Sequence, residues 1–193
     1  MPFKLSQSQK NLWQELLQKV LNGLKKFRVK FSSTSEGEPT KEVPMVRLPK
    51  NNDPPWLTIA INEIGQKEVK GSKNNPKILE YHLATSLKAS SDEVPWCSSF
   101  VNWCFRQIGI KGTGSAAARS WINWGQILTS PKCGCVVVFS RGDNNESGHV
   151  GFYIDTLPNG RINVLAGNQK DMVCIESFST ERLLGYRWPE VKL

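Results

Sequence analysis

Histidine is scarce in this chain, with only His82 and His149 in 193 residues. The five cysteines, Cys97, Cys104, Cys133, Cys135 and Cys174, form no Cys-x-x-C pair, and the two histidines form no His-x-x-x-His pair. The sequence therefore spells no ready zinc site, and neither a metal nor another cofactor is expected. An odd cysteine count argues against a disulfide framework. The start, Met1-Pro2-Phe3-Lys4, lacks the apolar core and small-residue cleavage site of a secretory leader. Synthesis in the cytoplasm without a signal peptide is the expectation. No apolar run approaches the roughly 20 residues that span a bilayer, and no internal repeat is present.

Acidic residues are almost missing from the first 30 positions, where Glu15 stands alone against Lys4, Lys10, Lys19, Lys25, Lys26, Arg28 and Lys30. That segment holds +6 of the formal +8, so a basic arm precedes a nearly neutral body. Leu12, Trp13, Leu16, Leu17, Val20, Leu21, Leu24 and Phe27 recur at helical spacing, and Ser6 with Gln9 reads as a capping box. An amphipathic helical arm over 1–31 is expected. Its apolar stripe can pack on the body, join copies, or lie on an anionic membrane or envelope through residues 6–30. Specific nucleic-acid binding is not expected, because the charge lies on one helix without a groove-reading motif.

Residues 32–54 lose periodicity and gather Ser, Thr, Gly, Glu and Pro, which reads as a linker. The body, 55–193, opens with Pro54-Pro55-Trp56, proline being suited to a first helical turn. That helix is expected to end at Gly65. Others are expected from Asn75-Pro76, from Pro95 to Gly109, and over about Ser115–Trp124. After Pro131 the pattern becomes strands: Cys135–Phe139, His149–Ile154, Arg161–Leu165, Val173–Phe178 and Leu183–Trp188, with a hairpin turn at Leu157–Gly160. Helices followed by an antiparallel meander define an α+β domain.

Cys97 stands two residues after Pro95, at a predicted helix start. There unpaired N–H groups and the helix dipole favour a thiolate, the reactive form of cysteine. Cys104, one heptad on, lacks that help and reads as a small buried hydrophobe. His149 follows Gly148 and opens a strand, where an imidazole can face a cleft as a base. His82, between Tyr81 and Leu83 on a helix, reads as packing or surface. If the next strand pairs antiparallel with that of His149, its end returns near the imidazole, making Asn168 the best orienting group, ahead of Gln169 and Asp171.

Four segments carry a family resemblance: Pro95-Trp96-Cys97-Ser98-Ser99-Phe100-Val101-Asn102-Trp103, Gly112-Thr113-Gly114-Ser115-Ala116-Ala117-Ala118-Arg119-Ser120-Trp121, Gly148-His149-Val150-Gly151-Phe152-Tyr153 and Gly167-Asn168-Gln169. In this order they resemble the cysteine, histidine-dependent amidohydrolases and peptidases of bacteria and phages, the CHAP-like proteins related to NlpC-type wall hydrolases. The resemblance covers about residues 55–189 and leaves the arm outside. It implies a papain-like fold, an amide-cleaving thiol mechanism and peptidoglycan as substrate, with Cys97 as nucleophile, His149 as base and Asn168 as third member. The chain departs from the family in having Gly134-Cys135 where members commonly have Gly-Asp, and Cys135 is expected to be a packing substitution.

A phage or prophage endolysin acting at the bacterial cell wall after release is the leading expectation. The alternatives are a secreted interbacterial amidase toxin, which would have an immunity protein as partner, and a non-catalytic wall- or membrane-binding module. Trp96, Ser98, Trp121 and Arg119 are expected at the substrate. Trp96 is the first candidate for a groove, while most of Trp103, Trp121, Trp124 and Trp188 are expected in packing. Arg119 suits a substrate carboxylate or a surface ion pair. Asp92 and Glu93 read as a solvated loop. A redox pair of Cys133 with Cys135 is not expected, since alternate strand residues face opposite sides.

Overall fold

A computed structural model describes residues 47–142 and 146–190. The predicted arm, 1–31, and most of the predicted linker lie outside the described residues. The part of the linker that is described is pinned to the body. Arg47 reaches Asp53 through both guanidinium nitrogens at 2.8 and 2.7 Å, and its Nη2 lies 3.4 Å from the Cys133 sulfur. Asp53 also accepts the Lys50 backbone N–H at 2.8 Å.

Among the described residues three helices come first: α1, Pro55–Asn62; α2, Pro76–His82; and α3, Cys97–Arg106. Proline occupies the first turn of α1 and α2, where its missing N–H costs nothing. The Asn75 side chain caps α2 by accepting from the Lys77 N–H at 2.8 Å. Gly65 and Gly109, both with positive φ, lie just beyond α1 and α3. The helix expected over Ser115–Trp124 is shorter, a 3₁₀ turn over Ala118–Asn123. The alanine-rich stretch before it is drawn away from helix by Asn102, whose Oδ1 accepts the Gly114 N–H and whose Nδ2 donates to the Ser115 carbonyl.

Six antiparallel strands follow: β1, Gln126–Leu128; β2, Val136–Ser140; β3, Gly148–Thr156; β4, Ile162–Gln169; β5, Met172–Phe178; and β6, Leu183–Trp188. Their spatial order is β1-β6-β2-β3-β4-β5. Strand β1 was not anticipated, being only three residues long, too short to show an alternation. The α+β class and the papain-like layout, a cysteine-bearing helix packed on an antiparallel sheet, are those of the expected fold.

The helices cover one face of the sheet. Leu57, Phe100 and Phe105 share a core there with Val136, Val138, Val150, Phe152 and Leu165. On the other face Val137, Phe139, Tyr153, Ile162 and Val164 form a second cluster. Strand β2 is thus buried on both sides, which is why it reads as a continuous apolar run rather than an alternation. Cys135 packs in the second cluster, and burial pushes its thiol up to about 12. The segment after α1 lies along the outer edge of β5: the Gly65 N–H donates to the Val173 carbonyl, the Val173 N–H to Gln66, and the Glu68 N–H to Asp171.

Candidate active site

Cys97 is the first residue of α3, so its sulfur lies among backbone N–H groups without intrahelical partners. Helix α3 reaches the sheet closely enough to use this because β4 carries glycine at 167. A Cβ there would run into the Trp96 ring and approach the Phe100 Cβ at 2.8 Å. The thiol is buried among polar donors. Burial alone would push it up. The hydrogen bond and positive charge of His149, with the N–H groups of Val150 and Ser98, outweigh that and hold it below the ordinary thiol value. Burial likewise opposes the charged His149, but the bond to Cys97, its charge and the bond from Gln169 raise the imidazole above its ordinary value, against a smaller opposing push from Arg141. Both shifts favour a thiolate–imidazolium pair. The remaining thiols move the other way: burial raises Cys104, Cys133 and Cys174.

The third group on the pair is Gln169. Its Oε1 lies 2.9 Å from His149 Nε2. Its Nε2 donates to the carbonyls of Val164 and Cys174 at 3.2 and 2.7 Å. Those two carbonyls accept only, so the amide nitrogen must face them and the amide oxygen must face the ring. His149 Nε2 therefore carries a proton, and Nδ1 is left to the Cys97 sulfur. Phe178 stacks on the imidazole at 5.2 Å and 19°, with Phe139 stacked behind it at 5.0 Å.

Asn168, expected in this place, is corrected to Gln169, and the reason is one residue of register. Strand β4 pairs regularly with β5 up to Ala166↔Cys174, and the next pair is Gln169↔Met172. Two residues, Gly167 and Asn168, therefore oppose one. Asn168 has φ +55° in this bulge. In an unbroken strand Asn168 would share the face of Ala166. The extra residue gives that face to Gln169.

The structure also corrects three of the four expected substrate contacts. Trp96 is fully buried, and its indole N–H donates to Glu68 at 2.8 Å. Ser98 is fully buried, donating to the Ser115 carbonyl at 2.7 Å and accepting the Trp121 indole N–H at 2.9 Å. Trp121 is fully buried by the same bond. These residues brace α3 and the loop beside it. Arg119 is half-buried and donates to the Ser147 carbonyl at 3.0 Å. Asp92 is not solvated: it is buried, and its Oδ2 accepts the N–H groups of Val69 and Asn75 at 2.9 and 2.8 Å. His82 is buried in packing, with Nδ1 3.2 Å from the Ser99 hydroxyl.

A buried cysteine at a helix start, paired with an imidazole that an amide oxygen holds from behind, is the constellation of a thiol-dependent hydrolase. Residues 89–168 match the family model of the CHAP domain. Among solved structures, one similar protein is a similar-to-lipoprotein of the NLP/P60 family from Staphylococcus aureus subsp. aureus Mu50. It has 17% identity and a TM-score of 0.45, with 79% of this chain and 46% of that chain covered. This chain thus spans less than half the length of that protein. No curated protein matches it.

Proposed function

We propose that this protein is a peptidoglycan hydrolase that cleaves an amide bond of the bacterial cell wall through a Cys97–His149–Gln169 thiol centre. The observation that carries the reading is the buried Cys97–His149 pair, with the thiol held low and the imidazole held high. The match of residues 89–168 to the CHAP domain supports wall peptide as the substrate class. The cationic chain, at +8, suits a lysis enzyme drawn to an anionic envelope, which favours an endolysin of phage or prophage origin.

The Cys97 thiolate attacks the amide carbonyl carbon, and the carbonyl electrons move to oxygen. The Cys97 backbone N–H, in the first turn of α3 and so without an intrahelical acceptor, is a donor for that oxyanion, a kind of contact worth about 3 kcal/mol. As the tetrahedral adduct collapses, the C–N bond breaks and the His149 Nδ1 proton passes to the departing amine. Water then attacks the thioester with neutral His149 Nδ1 accepting its proton, and the acid leaves with the thiolate restored. Gln169 keeps Nε2 protonated and the ring fixed through both halves.

The test is incubation of the protein with purified sacculi, followed by mass spectrometry of the soluble products, whose new termini name the bond. Release of peptides or amines by the native chain, and none by a Cys97→Ala variant of native circular dichroism, is expected. Equal release by that variant would remove the mechanism.

A further inference from the structure

On the sheet face away from the helices, a cleft of about 400 Å³ opens directly on the imidazole. Its floor is the aromatic stack of Phe139, Phe178 and His149. Its rim is charged: Arg141 follows β2, Arg182 precedes β6, and Lys170, Glu176 and Glu181 complete the lining. Lys170 and Glu176 neutralise each other at 2.9 Å. Arg141 and Arg182 form no ion pair with a described residue.

Arg141 is exposed, and its charge works, as a minor influence, against the imidazolium that the Cys97 thiolate requires. A cation held near another cation over an apolar floor is relieved when an anion enters between them. Two guanidinium groups beside a stacked aromatic floor present planar donor forks and a flat apolar surface, which match a carboxylate on a short organic stem.

We propose that this cleft is a substrate subsite for a free carboxylate, gripped by Arg141 and Arg182 while the adjoining carbon chain rests on Phe178, so that the enzyme prefers wall peptides whose acidic groups are unmodified over those in which they are amidated. The inference rests on the peptidoglycan reading and adds to it the chemistry that is selected.

The experiment uses the full chain carrying Cys97→Ala, so that ligand persists, and measures calorimetric affinity for a stem tetrapeptide with free carboxylates and for the same peptide with every carboxylate amidated. The free acid is expected to bind at least tenfold more tightly. Adding Arg141→Gln and Arg182→Gln is expected to abolish that preference while leaving affinity for the amidated peptide within about twofold. Arg141→Lys, which keeps the charge but not the fork, is expected to recover part of it. Equal affinity for the two peptides, no binding of either, or a preference that survives loss of both arginines would overturn the subsite. Failure of the parent reading looks different: the native chain would bind the free acid selectively yet release nothing from sacculi.

Discussion

Replacing Gln169 with alanine removes the described side-chain partner of His149 Nε2 without touching the thiol. A hydrogen bond to a charged group contributes about 1.5–3 kcal/mol. The bond stabilises the imidazolium of the reactive ion pair, so its loss shifts the resting site toward neutral thiol and imidazole, and re-forming the pair then adds up to that amount to the barrier. At one tenfold step per 1.36 kcal/mol, kcat/KM on soluble wall peptide should fall by about 10- to 150-fold. His149 also loses one of the influences that raise its pKa, so the alkaline limb of activity should move to lower pH. Asn168→Ala is the paired control. Its backbone sits at φ +55°, where alanine is strained by roughly 1–2 kcal/mol, so thermal stability should drop while most of the protein stays folded and kcat/KM holds within about threefold. The assay is a pH series of initial rates for both variants beside the native chain. Equal losses in the two variants, or no loss with Gln169→Ala, would refute the bulge-shifted assignment.

The Cys97–His149 pair sets the pH window. Because the thiol is held below its ordinary value and the imidazole above its own, hydrolysis should rise at a pH lower than free cysteine would give. It should decline only at a pH above that at which free histidine deprotonates. Iodoacetamide labelling of Cys97, followed by mass spectrometry, should share the acid limb and remain high at alkaline pH, where labelling of the other four cysteines catches up. Gly167→Ala should lower the melting temperature by several degrees, since displacing α3 from β4 costs about 1–3 kcal/mol of overpacking, and a calorimetric scan reads it. Burial disfavours the Asp53 carboxylate, but Arg47 and the Lys50 N–H more than offset this and hold it below the usual range. Its contribution is therefore complete above the ordinary carboxylate pKa and fades as pH falls through the lowered one. The melting difference between native chain and Arg47→Met should narrow from pH 7 toward pH 3.

Local signals carried much of this architecture. Pro55 and Pro76 mark helix starts because proline fixes φ and needs no donor there, and the valine run of β2 is a strand buried on both faces. Cys97 and His149, which the fold brings into hydrogen-bond contact, stood out in the sequence because few residue types suit a nucleophile–base pair and the chain offers few of them. What stayed hidden depends on partners distant in sequence. Trp96 looked like a groove residue until Glu68, 28 positions away, was found to hold its N–H inside. Ser98 and Trp121 satisfy each other across 23 positions. The exchange of Asn168 for Gln169 turns on a single inserted residue. Gly167 followed by an asparagine, a residue that tolerates positive φ, is the one local hint that β4 breaks its alternation.

The short stretch that follows α1 has a protective consequence. An outermost strand ordinarily offers its row of unmatched amides to any extended chain that drifts past, and fibres and swapped dimers begin that way. Here residues 65–68 already occupy part of that row on β5. The opposite margin, β1, is only three residues long, too brief to template much of a neighbour. For the wall hydrolase proposed above, whose target would itself be a mesh of peptides, this arrangement leaves passing chains little backbone along the sheet margins to zip onto.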